Sequence, residues 1–146
     1  MLTQTYTVGI DGLTLGGMIG LDGADTAALV AAGKPVPAPI LARALIDTGS
    51  DVTCVTITLL RRLGLRRKHR LVTRTASGPL RVGLYDVSFS IPSSPPGPGP
   101  LLVLSQLRVM ELVQPLQNID VLIGLDVLMQ TVLHLDGPGR QFSISA

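Results

Sequence analysis

Residues 44–50 of this chain read Ala-Leu-Ile-Asp-Thr-Gly-Ser, an apolar run followed by a carboxylate, a hydroxyl, a glycine and a second hydroxyl. Asp47 thus follows a strand of the buried type and enters a tight loop. Gly49 has no Cβ, so backbone N–H groups can approach the carboxylate closely. Thr48 and Ser50 supply donors that can orient the carboxylate without adding charge. The stretch predicts a hydrogen-bonded aspartate at the end of a strand.

A second apolar segment, Val121-Leu122-Ile123-Gly124, precedes a helix predicted from Leu125 to Thr131. It matters because Asp-Thr-Gly alone is a weak motif, with about 0.08 chance occurrences expected in a chain of this composition. A strand ending in the aspartate, together with a second strand ending in Gly124, is a more specific pattern.

The other elements are predicted from apolar periodicity and turn residues. An N-terminal hairpin is predicted around Asp11-Gly12, and a short helix over Ala27 to Ala32 with Asp25 or Thr26 as its cap and Gly33 at its end. The remaining predictions are a strand from Ile40 to Ile46, a helix from Leu59 to Leu65, strands at Leu71 to Thr75 and Leu80 to Ile91, a strand from Leu101 to Val113, and a closing hairpin of Val132 to Leu135 with Gln141 to Ser145. Pro92 to Pro100 is predicted to be an exposed connecting loop. Strands dominate, which predicts an all-β fold with two or three short helices.

Composition limits the class of protein. The chain has 146 residues, so one domain covering residues 1–146 is expected. The single cysteine, Cys54, excludes a disulfide scaffold. The N-terminal residues lack a basic region followed by an apolar one, and the apolar runs are too short to span a bilayer. A soluble cytoplasmic protein is expected.

Six of the twelve cationic residues fall between positions 61 and 70. Such a cluster could bind nucleic acid or a phosphate group. It has no interleaved aromatic residues and belongs to no nucleic-acid-binding motif, so a solvated surface is the preferred interpretation and a nucleic-acid partner is not expected. The cluster comprises Arg61, Arg62, Arg66, Arg67, Lys68 and Arg70.

In the order of these elements, the chain resembles the retropepsin-like aspartic proteases, the single-lobe relatives of retroviral proteases and of pepsin. The resemblance implies a closed β-barrel of the acid protease type, with one lobe per chain. Leu45-Ile46-Asp47-Thr48-Gly49 then matches the active loop and Val52 to Val55 the strand after it, while Ala76-Ser77-Gly78 matches the tip of the flap and Leu122-Ile123-Gly124 the second loop. Leu125 stands where retroviral members usually carry an arginine, which leaves Asp51 without an assigned partner.

Peptide hydrolysis requires one group to accept a proton from water while another donates a proton. Two nearby carboxylates that share one proton meet this need, but Asp-Thr-Gly occurs only once in the chain. The resemblance therefore implies a homodimeric endopeptidase in which each subunit contributes Asp47, and Thr48 bonds across the two-fold axis. Ser50 is expected to donate to the outer oxygen of Asp47, which favours an acid-shifted optimum. A polypeptide substrate is implied, and no cofactor.

Two other functions remain open at this stage. The same fold could serve as an inactive dimerisation or peptide-binding module that keeps the loop for structural reasons. A nucleic-acid binder using residues 61–70 is the third possibility. His69 and His134 lack the paired spacing of a metal site, so no metal site is expected.

Overall fold

The computed structural model describes residues 1–93, 99–114 and 116–146, in which ten strands and three short helices are found. The strands are β1 (Thr3–Thr7), β2 (Thr14–Leu21), β3 (Ile40–Ile46), β4 (Cys54–Thr56), β5 (His69–Thr75), β6 (Gly78–Ile91), β7 (Leu102–Leu112), β8 (Val121–Ile123), β9 (Val132–Asp136) and β10 (Gln141–Ser145). The helices are α1 (Gly23–Ala31), α2 (Ile57–Arg62) and α3 (Leu125–Leu128).

Six strands close into a barrel in the order β2-β3-β8-β4-β7-β6, with β2 paired back onto β6 and β5 added outside β6. The β3–β8 and β4–β7 pairs are parallel and the others antiparallel, so the barrel is mixed. Its interior is filled by fully buried side chains such as Val55, Val109 and Val121. The predicted fold class, mostly β with short helices and a closed barrel, is confirmed.

The predicted N-terminal hairpin is wrong. β1 pairs with β10 over five residues, and β9, β10 and β1 form a separate sheet. Gly9 and Gly12 do form a tight turn, bonded through both backbone N–H groups, but β2 beyond it joins the barrel. Tyr6 stacks on Phe142 with ring centroids 5.0 Å apart, so packing on β10 decides the partner of β1.

The predicted helices exist, but their ends differ. α1 starts at Gly23 and is capped by Asp22, whose Oδ1 accepts the Asp25 N–H at 2.8 Å, so the prediction of Asp25 or Thr26 as cap is wrong. Gly33 follows the helix with a φ of +67°, as its predicted place at the end requires. α3 ends at Leu128 instead of Thr131.

The strand predicted over Val52 to Val55 is displaced to Cys54–Thr56, because the Thr53 N–H is bonded to a side chain rather than to a neighbouring strand. The hairpin of β5 and β6 is confirmed, with its last pair at Thr75 and Gly78. Positions 94–98 of the predicted loop Pro92 to Pro100 lie outside the described residues. None of the helices in the described part of the chain has the length and apolar character needed to cross a membrane.

Candidate active site

The parallel pair of β3 and β8 brings the two predicted loops together. In this register Leu45 pairs with Leu122, and Ile46 pairs with Ile123. The next residue, Asp47, continues the ladder by donating its N–H to the Ile123 carbonyl at 2.9 Å. Since the carboxyl ends of parallel strands lie at the same edge of a sheet, Asp47 and Gly124 emerge side by side.

The Asp47 carboxylate is held by its own loop. Its Oδ1 accepts the Gly49 N–H at 3.0 Å, and its carbonyl accepts the Ser50 N–H at 3.2 Å. Asp47 is half-buried, whereas Thr48 and Gly49 are exposed. The loop therefore fixes the carboxylate from behind and presents Thr48 and Gly49 at the surface.

Ser50 does not have the role expected from the sequence. Its hydroxyl donates to the Val52 carbonyl at 2.7 Å, so its one proton is not available to Asp47. The expected donation to the outer oxygen of Asp47 is wrong for this geometry, and the acid-shifted optimum loses its basis. Local geometry explains the outcome, because a hydroxyl that reaches a carbonyl two residues on closes a small turn.

Gly124 is pressed against the loop that follows Asp47. A Cβ added at this position would lie 2.7 Å from the Val52 carbonyl carbon and 2.9 Å from both the Ser50 oxygen and the Thr53 nitrogen. These are backbone atoms, so no side chain can move aside. The loops are also bonded directly, since Leu125 N–H donates to the Ser50 carbonyl at 2.8 Å. A glycine is required here for the two loops to touch.

Sequence reasoning missed two residues that fasten the site, Thr53 and Asp126. Thr53, which is fully buried, donates its hydroxyl to Asp126 Oδ1 at 2.7 Å and accepts the Gly124 N–H at 3.0 Å. Asp126 also accepts the N–H groups of Thr53 and Val127. An acidic residue in the first turn of a helix, two positions after Gly124, was the signal available. Asp51 is exposed, and its carbonyl accepts the Asp126 N–H at 3.2 Å.

A cleft of about 460 Å³ runs between the β5–β6 hairpin and the β4–β7 part of the barrel. Leu80, Val82, Met110 and Cys54 contribute to its walls. Burial raises the pKa of the Cys54 thiol; the neighbouring Ser50 side chain opposes this shift, and the charges of Asp47 and Asp126 add to it. Cys54, in the wall of the cleft, therefore lies close enough to Asp47 for that charge to raise its pKa.

The predicted flap residues Ala76, Ser77 and Gly78 form the tip of the β5–β6 hairpin. The Thr75 hydroxyl donates to the Gly78 carbonyl at 2.8 Å and accepts the Ser77 N–H at 3.2 Å, which closes the turn. Gly78 has a φ of +113°, a region that favours glycine. Among the described strands, β5 pairs only with β6, at the edge of the sheet, and it is largely exposed, so the hairpin stands out from the barrel.

Apolar residues on the strands around the Asp47 loop divide between the cleft and the core. Leu80 and Val82 line the cleft, but Ile46 and Ile123 are buried in the barrel interior. In the described part of the chain, no group of three or more His, Cys, Asp or Glu side chains could hold a metal ion.

No protein-family model matches this chain, and no curated protein matches it. Among solved structures, it is similar to a retropepsin-like aspartic protease from Rickettsia conorii, with a TM-score of 0.62 over 99% of this chain and 93% of that one, at 13% sequence identity. The likeness at this identity concerns architecture. The chain has the fold of the retropepsin-like aspartic proteases.

Proposed function

We propose that this chain is an aspartic endopeptidase that acts as a homodimer, with Asp47 of each copy supplying one catalytic carboxylate. One observation carries the proposal. The half-buried Asp47 carboxylate lies at the end of a barrel strand, bonded by Gly49 N–H at 3.0 Å, in a loop whose next two residues are exposed. A carboxylate held in this way is oriented but remains accessible from the outer face of the loop.

The chemistry needs a second carboxylate. One ionised aspartate accepts a proton from water as the water oxygen attacks the scissile carbonyl carbon, and a protonated aspartate donates its proton to the carbonyl oxygen. The tetrahedral intermediate then collapses as a proton passes to the leaving amine nitrogen and the C–N bond breaks. Two carboxylates about 3 Å apart share a single proton because both cannot ionise together. A symmetric dimer supplies the pair from one Asp-Thr-Gly sequence.

The surroundings of the loop support self-association. The Leu13 carbonyl accepts the Ile46 N–H at 2.9 Å, which places the turn of residues 9–12 beside the Asp47 loop. Ile10 in that turn is fully exposed. An exposed isoleucine next to a catalytic loop suits a two-fold interface, where the same surface occurs on both partners. Thr48, exposed at the front of the loop, is proposed to bond to the partner loop.

The hairpin tipped by Ala76, Ser77 and Gly78 is proposed as the flap. A peptide lying in the cleft beneath it would meet the apolar side chains of Leu80 and Val82. Flap backbone groups would bond to the peptide backbone, and the closed flap would exclude water from the reaction. Apolar residues next to the cleaved bond are the expected preference.

The decisive variant is Asp47→Asn, because an amide cannot act as the general base. Cleavage of a peptide library between about pH 3 and pH 7 should fall by at least 10³-fold. Activity of the wild type should fall faster than linearly on dilution, since the active species is a dimer. Adding an excess of inactive Asp47→Asn chain to wild type should also suppress activity, because mixed dimers hold one competent carboxylate.

Asp136→Asn is the matched control. Like Asp47, Asp136 accepts a glycine N–H through its Oδ1, from Gly139 at 2.9 Å, but it lies in the β9–β10 turn; its variant should keep wild-type cleavage. Activity that stays proportional to concentration and resists added Asp47→Asn chain would contradict the shared site. Wild type that binds peptides as well as Asp47→Asn does, without cleaving them, would support the inactive binding module instead.

A further inference from the structure

Helix α1 and the segment after it are apolar and uncovered. Every residue from Ala27 to Pro39 is exposed except Leu29, which is half-buried, and α1 has no buried residue. Val30 is 65% exposed. The one charged side chain in α1 is Asp25. Apart from Asp25 and Thr26, the side chains of α1 are apolar. A helix of this composition usually packs against other parts of a protein, and α1 leaves most of its apolar surface in solvent.

Cations border this apolar segment. A groove of about 540 Å³ separates α1 from residues 63–68, with Leu29, Pro37 and Leu63 among its apolar lining residues and Lys34, Arg66 and Lys68 among its cations. Further exposed cations follow along the same stretch of chain, namely Arg61, Arg62, Arg67 and Arg70.

The anions near these cations are already paired. Asp25 bonds to Lys68 at 3.4 Å. Asp86, whose charge is felt by Lys68 and His69, is buried and bonded to Arg108 at 2.9 Å. No Asp or Glu occurs in residues 26–46 or 61–81. The groove and its margin therefore carry a net positive charge.

This surface is remote from the proposed active site. β2 and β3 are antiparallel, with Thr14 opposite Leu45 near Asp47 and Ile19 opposite Ile40 at the other end. α1 and residues 32–39 connect the two strands at that far end. Six residues of paired strand separate the two ends by roughly 20 Å. An occupant of the α1 surface would leave the Asp47 loop free.

We propose that α1, residues 32–39 and the cations of residues 61–70, together called the α1 surface, bind the face of a lipid bilayer that contains anionic lipids. Apolar side chains such as Val30 enter the boundary between headgroups and acyl chains, while Lys34 and Arg66 meet the lipid phosphates and carboxylates. A nucleic acid would satisfy the cations but leave the apolar helix in water. A neutral apolar partner would leave the cations without counter-charges. An anionic bilayer matches both features.

The test is co-sedimentation of the full chain with vesicles of phosphatidylcholine alone, or with about 30% phosphatidylserine, at low salt. Binding is expected to the anionic vesicles and to weaken as salt rises. Val30→Glu should weaken this binding about tenfold, because a carboxylate enters the interface. Lys34→Gln combined with Arg66→Gln should weaken it about 30-fold, since each cation contributes about fivefold.

Two variants outside the α1 surface serve as matched controls. Leu135→Glu puts a carboxylate at an apolar position on β9 that is 55% exposed, close to the 65% of Val30, and Arg140→Gln removes an exposed cation from the β9–β10 turn. Both should bind vesicles as the wild type does. Equal binding to both vesicle types, or equal weakening by the control variants, would overturn the proposal. So would a duplex DNA probe that binds more tightly than vesicles and is unaffected by Val30→Glu.

Discussion

The Asp47 loop and the β5–β6 hairpin belong to the same strand network, but they are held in opposite ways. The loop is held by the close approach of Gly124 to its backbone, by the Leu125 N–H bond to the Ser50 carbonyl at 2.8 Å and by the buried Thr53 hydroxyl, which bonds to Asp126 at 2.7 Å. The hairpin has an exposed edge strand and a tip closed mainly by Thr75. From these contacts we expect the Asp47 loop to resist displacement and the hairpin to open at low cost.

The proposed function requires a rigid Asp47 loop and a movable hairpin. Two carboxylates that share a proton need positions fixed to a fraction of an ångström, which a rigid, buried network supplies. A hairpin that admits a long peptide must leave the cleft and return. β6 joins the two kinds of structure, because its first residues belong to the hairpin and its later residues, such as Val87 and Phe89, are buried in the barrel.

Gly124→Ala should have the largest effect on stability. Its Cβ would overlap backbone atoms of Val52, Ser50 and Thr53, so the two loops must separate. We expect the free energy of unfolding, measured by urea denaturation, to fall by about 3 kcal/mol. Any proteolytic activity should fall further than stability alone explains, because the carboxylates would lose their alignment.

Two other glycines provide control variants for Gly124→Ala. Gly9→Ala introduces a Cβ with no atom within 4 Å and no positive φ, so its effect should stay within about 0.5 kcal/mol. Gly78→Ala also meets open space, but its φ of +113° makes alanine strained, at a cost of about 1 to 2 kcal/mol. If Gly124→Ala resembled Gly9→Ala, the clamp between the loops would not exist.

Thr53→Val should rank second. The change keeps the shape of the side chain but removes the hydroxyl that joins the Gly124 N–H to Asp126. Because Thr53 is 0% exposed, water cannot replace the lost partner. A buried donor left without a partner should lower the free energy of unfolding by about 2 kcal/mol.

Thr75→Val is the control from the hairpin. Thr75 makes comparable bonds, to Gly78 and Ser77, but it is exposed. Water can take over those bonds, so the loss should be about 0.5 kcal/mol or less. Equal losses in Thr53→Val and Thr75→Val, measured in the same denaturant series, would remove the proposed contrast between a rigid loop and a loosely held hairpin.

Local patterns were sufficient to predict much of the site region. The run from Ile40 to Ile46 ends at Asp47 as predicted, β8 ends before Gly124, and residues 76–78 form a hairpin tip. In each case the information lies in neighbouring residues, because strand residues and turn residues alternate over short distances. These patterns did not predict the parallel pairing of β3 with β8 that places Asp47 beside Gly124; the family resemblance implied only that the two loops belong to one active site.

Predictions that depended on distant partners fared less well. β1 takes β10 as its partner, with Thr7 opposite Gln141, 134 residues later in the sequence. The Asp11-Gly12 turn signal gave no indication of this pairing. Ser50 has a carbonyl two residues ahead that competes for its proton. Asp126 acts through Thr53, 73 residues earlier. Each depends on which groups the completed barrel brings within bonding distance.

The smallest expected effect concerns the Asp86–Arg108 pair, where β6 leaves the hairpin and enters the barrel. Arg108 lowers the pKa of the Asp86 carboxyl through a hydrogen bond at 2.9 Å, partly offset by burial. The folded pKa lies below the unfolded one, so the pair stabilises the fold above about pH 4 and this contribution disappears as pH falls through the folded pKa. Arg108 is half exposed, so solvent screens the pair and limits its effect.

Thermal midpoints of wild type and Asp86→Asn should therefore differ most above about pH 4 and converge below it. Asp11→Asn is the control, because Asp11 lies in an exposed pair with Arg43, and its midpoint should differ little from that of wild type at any pH. A gap between wild type and Asp86→Asn that widened in acid would show that Asp86 carries no stabilising charge, and that the base of the hairpin is held by packing alone.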